Sequence, residues 1–206
     1  MENTIERLNA LFQEWKKRGG FDDFCRDGVH YHHASEQERY NIWHSTPTRV
    51  LFIAKEPRDR NGDVAENWSK SSFGVDKYTR CQYLYINKIQ GQPFDQVKEK
   101  AKDSNAIKEF LESNPFCWIN VKKTQGGRSA VGKQIVKHIE TFGDLLLEEI
   151  KILNPTHVVC LCGGNNGAVV EKLKSLPSHP KIYTAYHPAY WRRSRESKYN
   201  SLTEIE

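Results

Sequence analysis

The sequence has few features of a secreted or membrane-bound protein. Hydrophobic residues make up 37% of its 206 residues, and no apolar run approaches the length of about 20 residues that a membrane-spanning helix needs. The N-terminal stretch MENTIERL lacks the basic start and apolar middle of a signal peptide. We therefore expect a cytoplasmic protein that makes no contact with a membrane.

The sequence also lacks paired cysteines. Its five cysteines include no Cys-x-x-Cys pair, and Cys117, Cys160 and Cys162 lie in apolar runs, where reduced cysteine packs as a small hydrophobic residue. This pattern argues against a disulfide framework and against an iron–sulfur cluster. The stretch HYHH at residues 30–33 has no carboxylate or cysteine at a spacing that completes a metal site. We expect a polar loop there, and we predict no metal and no cofactor.

The charge is moderately basic. There are 31 lysines and arginines against 26 acidic residues, which gives a net charge of +5. This balance permits a polyanionic partner without requiring one. The sequence shows no internal repeat and no low-complexity linker, so we predict one domain over residues 1–206. Within it we expect an N-terminal helical segment at 1–48, an α/β core at 49–193 and a monomeric protein.

Four short apolar runs predict strands, at residues 49–54, 116–121, 157–162 and 181–186. They are rich in β-branched or aromatic residues and do not alternate strictly, as is typical of strands that are covered on both faces. Helical periodicity precedes them at 4–18 and from Ser35, and separates them at 95–113, 131–153 and 165–176. The predicted fold is a three-layer α/β/α domain with a central, mostly parallel four-stranded sheet.

Polar residues follow the predicted strands. Glu56 follows the first strand, Asn120 ends the second, the turn CGGNNG follows the third, and His187 follows the fourth. Parallel sheets bind ligands at the carboxyl ends of their strands, so a carboxylate, an amide and an imidazole are expected at one edge. Basic residues surround them in the sequence: Lys55, Arg58, Lys122, Lys123, Arg128, Arg192 and Arg193.

Three segments carry a resemblance to a known family. They read AKEP at 54–57, WINVKK at 118–123 and YHPAYWRR at 186–193. Their order and spacing resemble the motifs of the uracil-DNA glycosylase superfamily, over about residues 48–193 of this chain. The resemblance implies an enzyme that needs no metal and hydrolyses the N-glycosidic bond of a deaminated or damaged base in DNA.

The resemblance also implies roles for individual residues. The target nucleotide would be swung out of the duplex into a pocket, where Phe73 stacks on the base and Asn120 reads its edge. Glu56 would stabilise the positive charge on the sugar or position the attacking water. His187 would donate a hydrogen bond to the departing base.

Further residues are implied as contacts to nucleic acid. Tyr190 or Trp191 would wedge into the gap that the flipped base leaves in the stack, and basic side chains would hold flanking phosphates. The predicted nucleic-acid contacts are Lys122, Lys123, Arg128, Tyr190, Trp191, Arg192 and Arg193.

Each of these residues also has a structural interpretation. Glu56 can serve in a salt bridge with a neighbouring lysine, and Asn120 can cap a turn through its side chain. Phe73 can be an ordinary packed ring. Trp191 and the two arginines that follow it can form a solvated helix start.

Two further functions remain open. Ala54 replaces the usual glycine of the first motif, and Ala189 replaces the serine of the third. The second hypothesis is therefore a relative that kept the cleft, lost the chemistry and binds nucleic acid or nucleotides. The third is a hydrolase that acts on a free nucleotide or nucleoside.

Overall fold

The computed structural model describes residues 3–31, 34–57, 62–63, 75–126, 131–177, 179–190 and 193–206. Within these ranges the helices are α1 (Thr4–Gly19), α2 (Glu36–Ser45), α3 (Lys77–Ile89), α4 (Phe94–Val97), α5 (Ser104–Ser113), α6 (Gly132–Leu153), α7 (Asn166–Leu173) and α8 (Arg195–Ser201). The strands are β1 (Cys25–Arg26), β2 (Gly28–His30), β3 (Val50–Ala54), β4 (Gly62–Asp63), β5 (Phe116–Asn120), β6 (His157–Cys160), β7 (Lys181–Thr184) and β8 (Thr203–Ile205).

A mixed sheet of six strands organises the fold. Its order is β2-β5-β3-β6-β7-β8, and a separate pair joins β1 to β4. The four inner strands, β5, β3, β6 and β7, run parallel to one another. The edge strands β2 and β8 each run antiparallel to the inner strand beside them. The predicted α/β class is confirmed, but the sheet has six strands rather than four. The two edges have only three residues each, too few to show a hydrophobic pattern, and both lie outside the predicted core at 49–193.

Helices cover both faces of this sheet. Leu51 and Ile53 of β3 pack into one hydrophobic cluster with residues of α1, α6 and α7. Val50 and Phe52, which alternate with them, pack into a second cluster with residues of α3 and α5. Successive side chains of a strand point to opposite faces, so both sets are buried. This explains why the strand sequences are apolar throughout.

The helix termini follow the signals in the sequence. The helix start predicted at Ser35 is confirmed, because a capping box begins α2 there: the Ser35 hydroxyl accepts from the Glu38 amide, and the Ser35 amide donates to the Glu38 carboxylate. The predicted segment 95–113 divides into α4 and α5, because Asp103 caps a new helix start. None of the described helices is both long and apolar enough to cross a membrane.

Candidate functional site

The ends of β3 and β5 lie side by side. Ala54 pairs with Asn120 in the parallel register, and the Lys122 amide donates to the Lys55 carbonyl oxygen at 2.9 Å. A further hydrogen bond of 2.8 Å joins the Gly126 amide to the Pro57 carbonyl oxygen. The segments 54–57 and 118–126 therefore form one continuous backbone edge, and the first two resembling motifs are neighbours in space.

Glu56 is held tightly at this edge. Its side chain is only 7% exposed, and one carboxylate oxygen, Oε2, lies 3.1 Å from Lys122 Nζ. The same ammonium donates to the Gln125 carbonyl oxygen at 3.1 Å. A Cβ atom at Gly126 would lie 2.1 Å from Glu56 Cδ, so only glycine leaves room for the carboxylate. Glu56 thus forms an ion pair, as its structural interpretation proposes, but with Lys122 of the adjacent segment rather than with the flanking Lys55.

Asn120 is oriented by Asp27, a residue that the sequence does not single out. Asn120 Nδ2 donates to Asp27 Oδ1 at 2.9 Å, and the Asn120 backbone amide donates to Asp27 Oδ2 at 2.6 Å. A carboxylate only accepts hydrogen bonds, so the amide nitrogen of Asn120 must face Asp27. The carbonyl oxygen Oδ1 receives no hydrogen bond from the described residues. One side of the amide is therefore fixed, and its acceptor oxygen points elsewhere.

Lys123 is part of the interior. Its side chain has no exposed area, and Nζ lies 2.6 Å from an oxygen of Asp27 and 2.6 Å from an oxygen of Glu149. The same ammonium lies 5.0 Å from the ring centroid of Trp15. The phosphate contact predicted for Lys123 is not available in this structure, because a buried cation cannot reach a ligand at the surface. We call Asp27, Lys123 and Glu149 the buried triad.

The buried triad predicts that stability depends on pH. Burial raises the pKa of Glu149, Lys123 opposes that shift and the nearby Asp27 charge adds to it, and together they raise the pKa to about 7. The folded protein therefore binds a proton that the unfolded chain releases near the ordinary pKa of 4.5. We expect the contribution of Glu149 to the free energy of unfolding to fall as pH rises from 4.5 to 7.

Urea unfolding of the wild type and of Glu149→Gln across this pH range measures the effect. The difference in unfolding free energy between the two proteins should change with pH, because the amide does not titrate. A difference that stays constant from pH 4.5 to 7 would contradict a raised pKa for Glu149.

His187 sits in a tight turn that fixes its protonation state. The Tyr190 amide donates to the His187 carbonyl oxygen at 2.9 Å, and the Ala189 amide donates to the ring nitrogen Nδ1 at 3.2 Å. An acceptor nitrogen carries no proton, so the neutral ring carries its proton on Nε2. Burial, together with the smaller effect of the charges of Lys55, Lys77 and Lys198, lowers the pKa of His187 to about 4. The imidazole is therefore neutral at physiological pH.

The three lysines around His187 come from different elements. Lys198 of α8 is buried, and its Nζ donates to the Pro188 carbonyl oxygen at 2.9 Å. Lys55 Nζ lies 3.8 Å from the position of a Cβ atom built on Gly163, which begins the turn after β6. Lys77 lies in the first turn of α3. The ends of β3, β6 and β7 therefore meet at the neutral imidazole of His187, and lysines give its surroundings a positive charge.

Two aromatic rings complete this part of the site. The ring of Tyr78 meets the ring of His187 edge-on, with centroids 5.8 Å apart. It meets Trp118 in the same manner at 6.1 Å, and Trp118 packs on the buried Phe52 at 5.9 Å. Neither Tyr78 nor Trp118 was predicted as a site residue, although Trp118 lies two positions before Asn120 in the second resembling motif.

The remaining predicted residues fall into two groups. Tyr190 and Arg193, which follow His187 in the chain, are exposed. The other group lies outside the described residues and comprises Phe73, Arg128, Trp191 and Arg192, together with Arg58, His32 and His33. His30 is buried and stacks on Phe116 with ring centroids 5.0 Å apart. Within the described ranges, no group of three or more histidine, cysteine, aspartate or glutamate side chains is arranged to hold a metal ion.

The structure therefore brings Lys55, Tyr78, Trp118 and His187 together at the carboxyl edge of the sheet. Glu56 and Asn120 reach the same edge, where Lys122 and Asp27 respectively bind their side chains. Comparison with models of protein families finds no match to this chain, and comparison with curated proteins finds no relative.

Proposed function

We propose that the protein is a uracil-DNA glycosylase-like enzyme of the cytoplasm that releases a deaminated or damaged base from DNA by hydrolysis. The observation that carries the proposal is the orientation of the His187 ring, whose Nδ1 accepts from the Ala189 amide and whose Nε2–H has no hydrogen-bond partner among the described residues. Such a group can donate to an oxygen or nitrogen of a departing base.

The environment of His187 suits this role. When the N-glycosidic bond breaks, negative charge builds on the base, and a donor fixed in a partly dry site stabilises that charge more than water does. The lysines that keep the ring neutral also place positive potential where the charge develops. One set of charges thus has two effects, on the protonation of the histidine and on the leaving base.

Glu56 supports the proposal through its second oxygen. Lys122 binds Oε2, while Oε1 accepts no hydrogen bond from the described residues. A carboxylate with one oxygen held by a lysine can use the other to orient a water molecule or to face the positive charge on the sugar. Asn120 offers its acceptor oxygen in the same way, because Asp27 fixes the opposite side of the amide.

The fold supports the proposal as well. The four inner strands run parallel and helices cover both faces, which fits the three-layer arrangement that the resemblance implies. In such sheets ligands bind at the carboxyl ends of the strands. Glu56, Asn120 and His187 all follow or end strands there.

The test is incubation with single-stranded and double-stranded oligonucleotides that contain one uracil, followed by alkali. We expect strand cleavage at the uracil, since alkali breaks the backbone at an abasic site. The matched oligonucleotide with thymine in place of uracil is the control, and it should remain intact. Chromatography of the supernatant should identify free uracil in step with the cleavage. Absence of both products at enzyme excess, across several damaged bases, would contradict the proposed activity.

A second candidate is a binding module without chemistry. The ion pair of Glu56 with Lys122 and the buried bond of Asn120 to Asp27 favour it, because both side chains already have structural tasks. Such a module would bind nucleic acid with a steep dependence on salt concentration and would give no abasic product in the same assay.

A further inference from the structure

Two exposed tyrosines flank His187 and contact each other. Tyr186 is 37% exposed and Tyr190 is 44% exposed, which makes them two of the three large hydrophobic residues exposed among the described residues. Their ring centroids lie 5.7 Å apart at an interplanar angle of 44°. The guanidinium of Arg193 lies 5.1 Å from the Tyr186 ring and 5.9 Å from the Tyr190 ring. We call these three residues the tyrosine platform.

The backbone beneath the tyrosine platform is fixed. The Tyr85 hydroxyl donates to the Tyr186 carbonyl oxygen at 2.7 Å, and the Tyr186 amide donates to Ser201 Oγ at 3.0 Å. The turn that closes at Tyr190 uses only the His187 carbonyl oxygen and the Tyr190 amide. All of these contacts use main-chain atoms of Tyr186 and Tyr190. The exposed rings therefore project from a hydrogen-bonded main chain and are themselves available for contact with a ligand.

Exposed aromatic rings beside a guanidinium have a specific chemical use. Aromatic side chains stack on the flat faces of bases, and arginine adds a cation–π contribution and a charge for phosphate. In a duplex the base faces are covered by neighbouring bases, whereas in a single strand they are accessible. We propose that the tyrosine platform stacks on unpaired bases, so that the protein binds single-stranded DNA more tightly than duplex DNA.

This inference differs from the wedge that the sequence resemblance implies for Tyr190. A wedge needs a ring that projects alone into the base stack, whereas the Tyr190 ring lies against Tyr186 and beneath Arg193. The choice of DNA as the ligand rests on the proposed function, but stacking on the platform needs no chemistry at His187.

Fluorescence anisotropy of the full chain tests the inference with three labelled probes. The probes are an oligothymidylate of about 15 nucleotides, the same strand annealed to its complement, and a strand of equal length composed of abasic residues. We expect the wild type to bind the oligothymidylate most tightly. Tyr186→Ala and Tyr190→Ala should each weaken that binding by about 5- to 150-fold, which corresponds to one stacked base. Binding to the abasic strand should be nearly unchanged, since it has no bases to stack.

Tyr186→Phe serves as the conservative variant. It keeps the ring face, so it should retain binding to the oligothymidylate. Thermal unfolding of each variant checks that the main-chain support remains intact. The inference is overturned if the alanine variants bind the oligothymidylate as tightly as the wild type, or if the wild type binds the duplex equally well.

The probes contain no uracil, so their binding does not depend on cleavage. If the alanine variants bind the oligothymidylate more weakly but the wild type releases no base, the proposed function is overturned and the role of the tyrosine platform stands. If the wild type releases the base but both alanine variants bind the oligothymidylate as tightly as the wild type, the role of the tyrosine platform is overturned and the proposed function stands.

Discussion

Replacement of His187 with alanine is expected to slow the release of uracil by about 10²- to 10³-fold, the usual effect of removing one donor from a site that stabilises a developing anion. The neutral imidazole offers Nε2–H at the carboxyl edge of the sheet, and alanine offers no donor. Single-turnover cleavage of a uracil-containing strand at saturating enzyme measures the chemical step. Binding to the uncleaved strand should change much less, because the tyrosine platform and the basic residues remain.

His157 provides a matched control. It is half-buried, its pKa is also lowered by burial, and it lies at the amino end of β6, opposite to the edge that carries His187. His157→Ala should therefore cleave at nearly the wild-type rate. If both histidine variants cleave as fast as the wild type, His187 has no part in the reaction.

The pH profile adds an independent readout. Because the pKa of His187 is lowered to about 4, the wild-type rate should show no inflection near the ordinary histidine value of 6.5. An inflection near 6.5 that disappears in His187→Ala would mean that the imidazole titrates normally and is not held neutral by its surroundings.

Replacement of Lys123 with alanine is expected to have the largest effect on stability. The change leaves the carboxylates of Asp27 and Glu149 buried without their shared cation. Breaking a buried ion pair by removing one partner typically lowers the free energy of unfolding by about 3–5 kcal/mol. Urea denaturation, followed by tryptophan fluorescence, measures the loss, and Trp15 beside the ammonium provides a local signal.

Two controls separate this effect from general damage to the protein. Lys98→Ala removes a lysine from an ion pair with Asp95 at the surface, and it should leave the midpoint of unfolding nearly unchanged. A triple variant with Lys123→Met, Asp27→Asn and Glu149→Gln should recover much of the lost stability, because no buried charge remains. If Lys123→Ala unfolds at the same urea concentration as the wild type, the triad is not a stabilising unit.

The sequence predicts the inner strands because burial on both faces leaves a distinctive apolar run. It also predicts α1, whose Leu8, Leu11, Phe12 and Trp15 form one buried stripe. It does not predict α3, which lies between the first two predicted strands. From Cys81 to Asn87 this helix is buried on all sides, including the polar residues Gln82 and Asn87, whose residue types are typical of an exposed face.

The neighbours Lys122 and Lys123 show why the site was only partly predictable. Both follow β5, and composition alone gives them the same basic role. The backbone sends Lys122 to Glu56 at the edge and Lys123 to the buried triad inside. The partners that decide between these outcomes, Asp27 and Glu149, are distant in sequence and resemble ordinary surface carboxylates until the chain is folded.

The shared ammonium of Lys123 constrains how the chain can change over evolutionary time. A single replacement at position 123 leaves two carboxylates in the interior without a cation, whereas a neutral replacement at position 27 or 149 still leaves one ion pair. Among natural variants of this fold, position 123 should therefore change only together with both acidic positions. Position 122 carries a similar requirement on a smaller scale, because its ammonium pairs with the one carboxylate of Glu56.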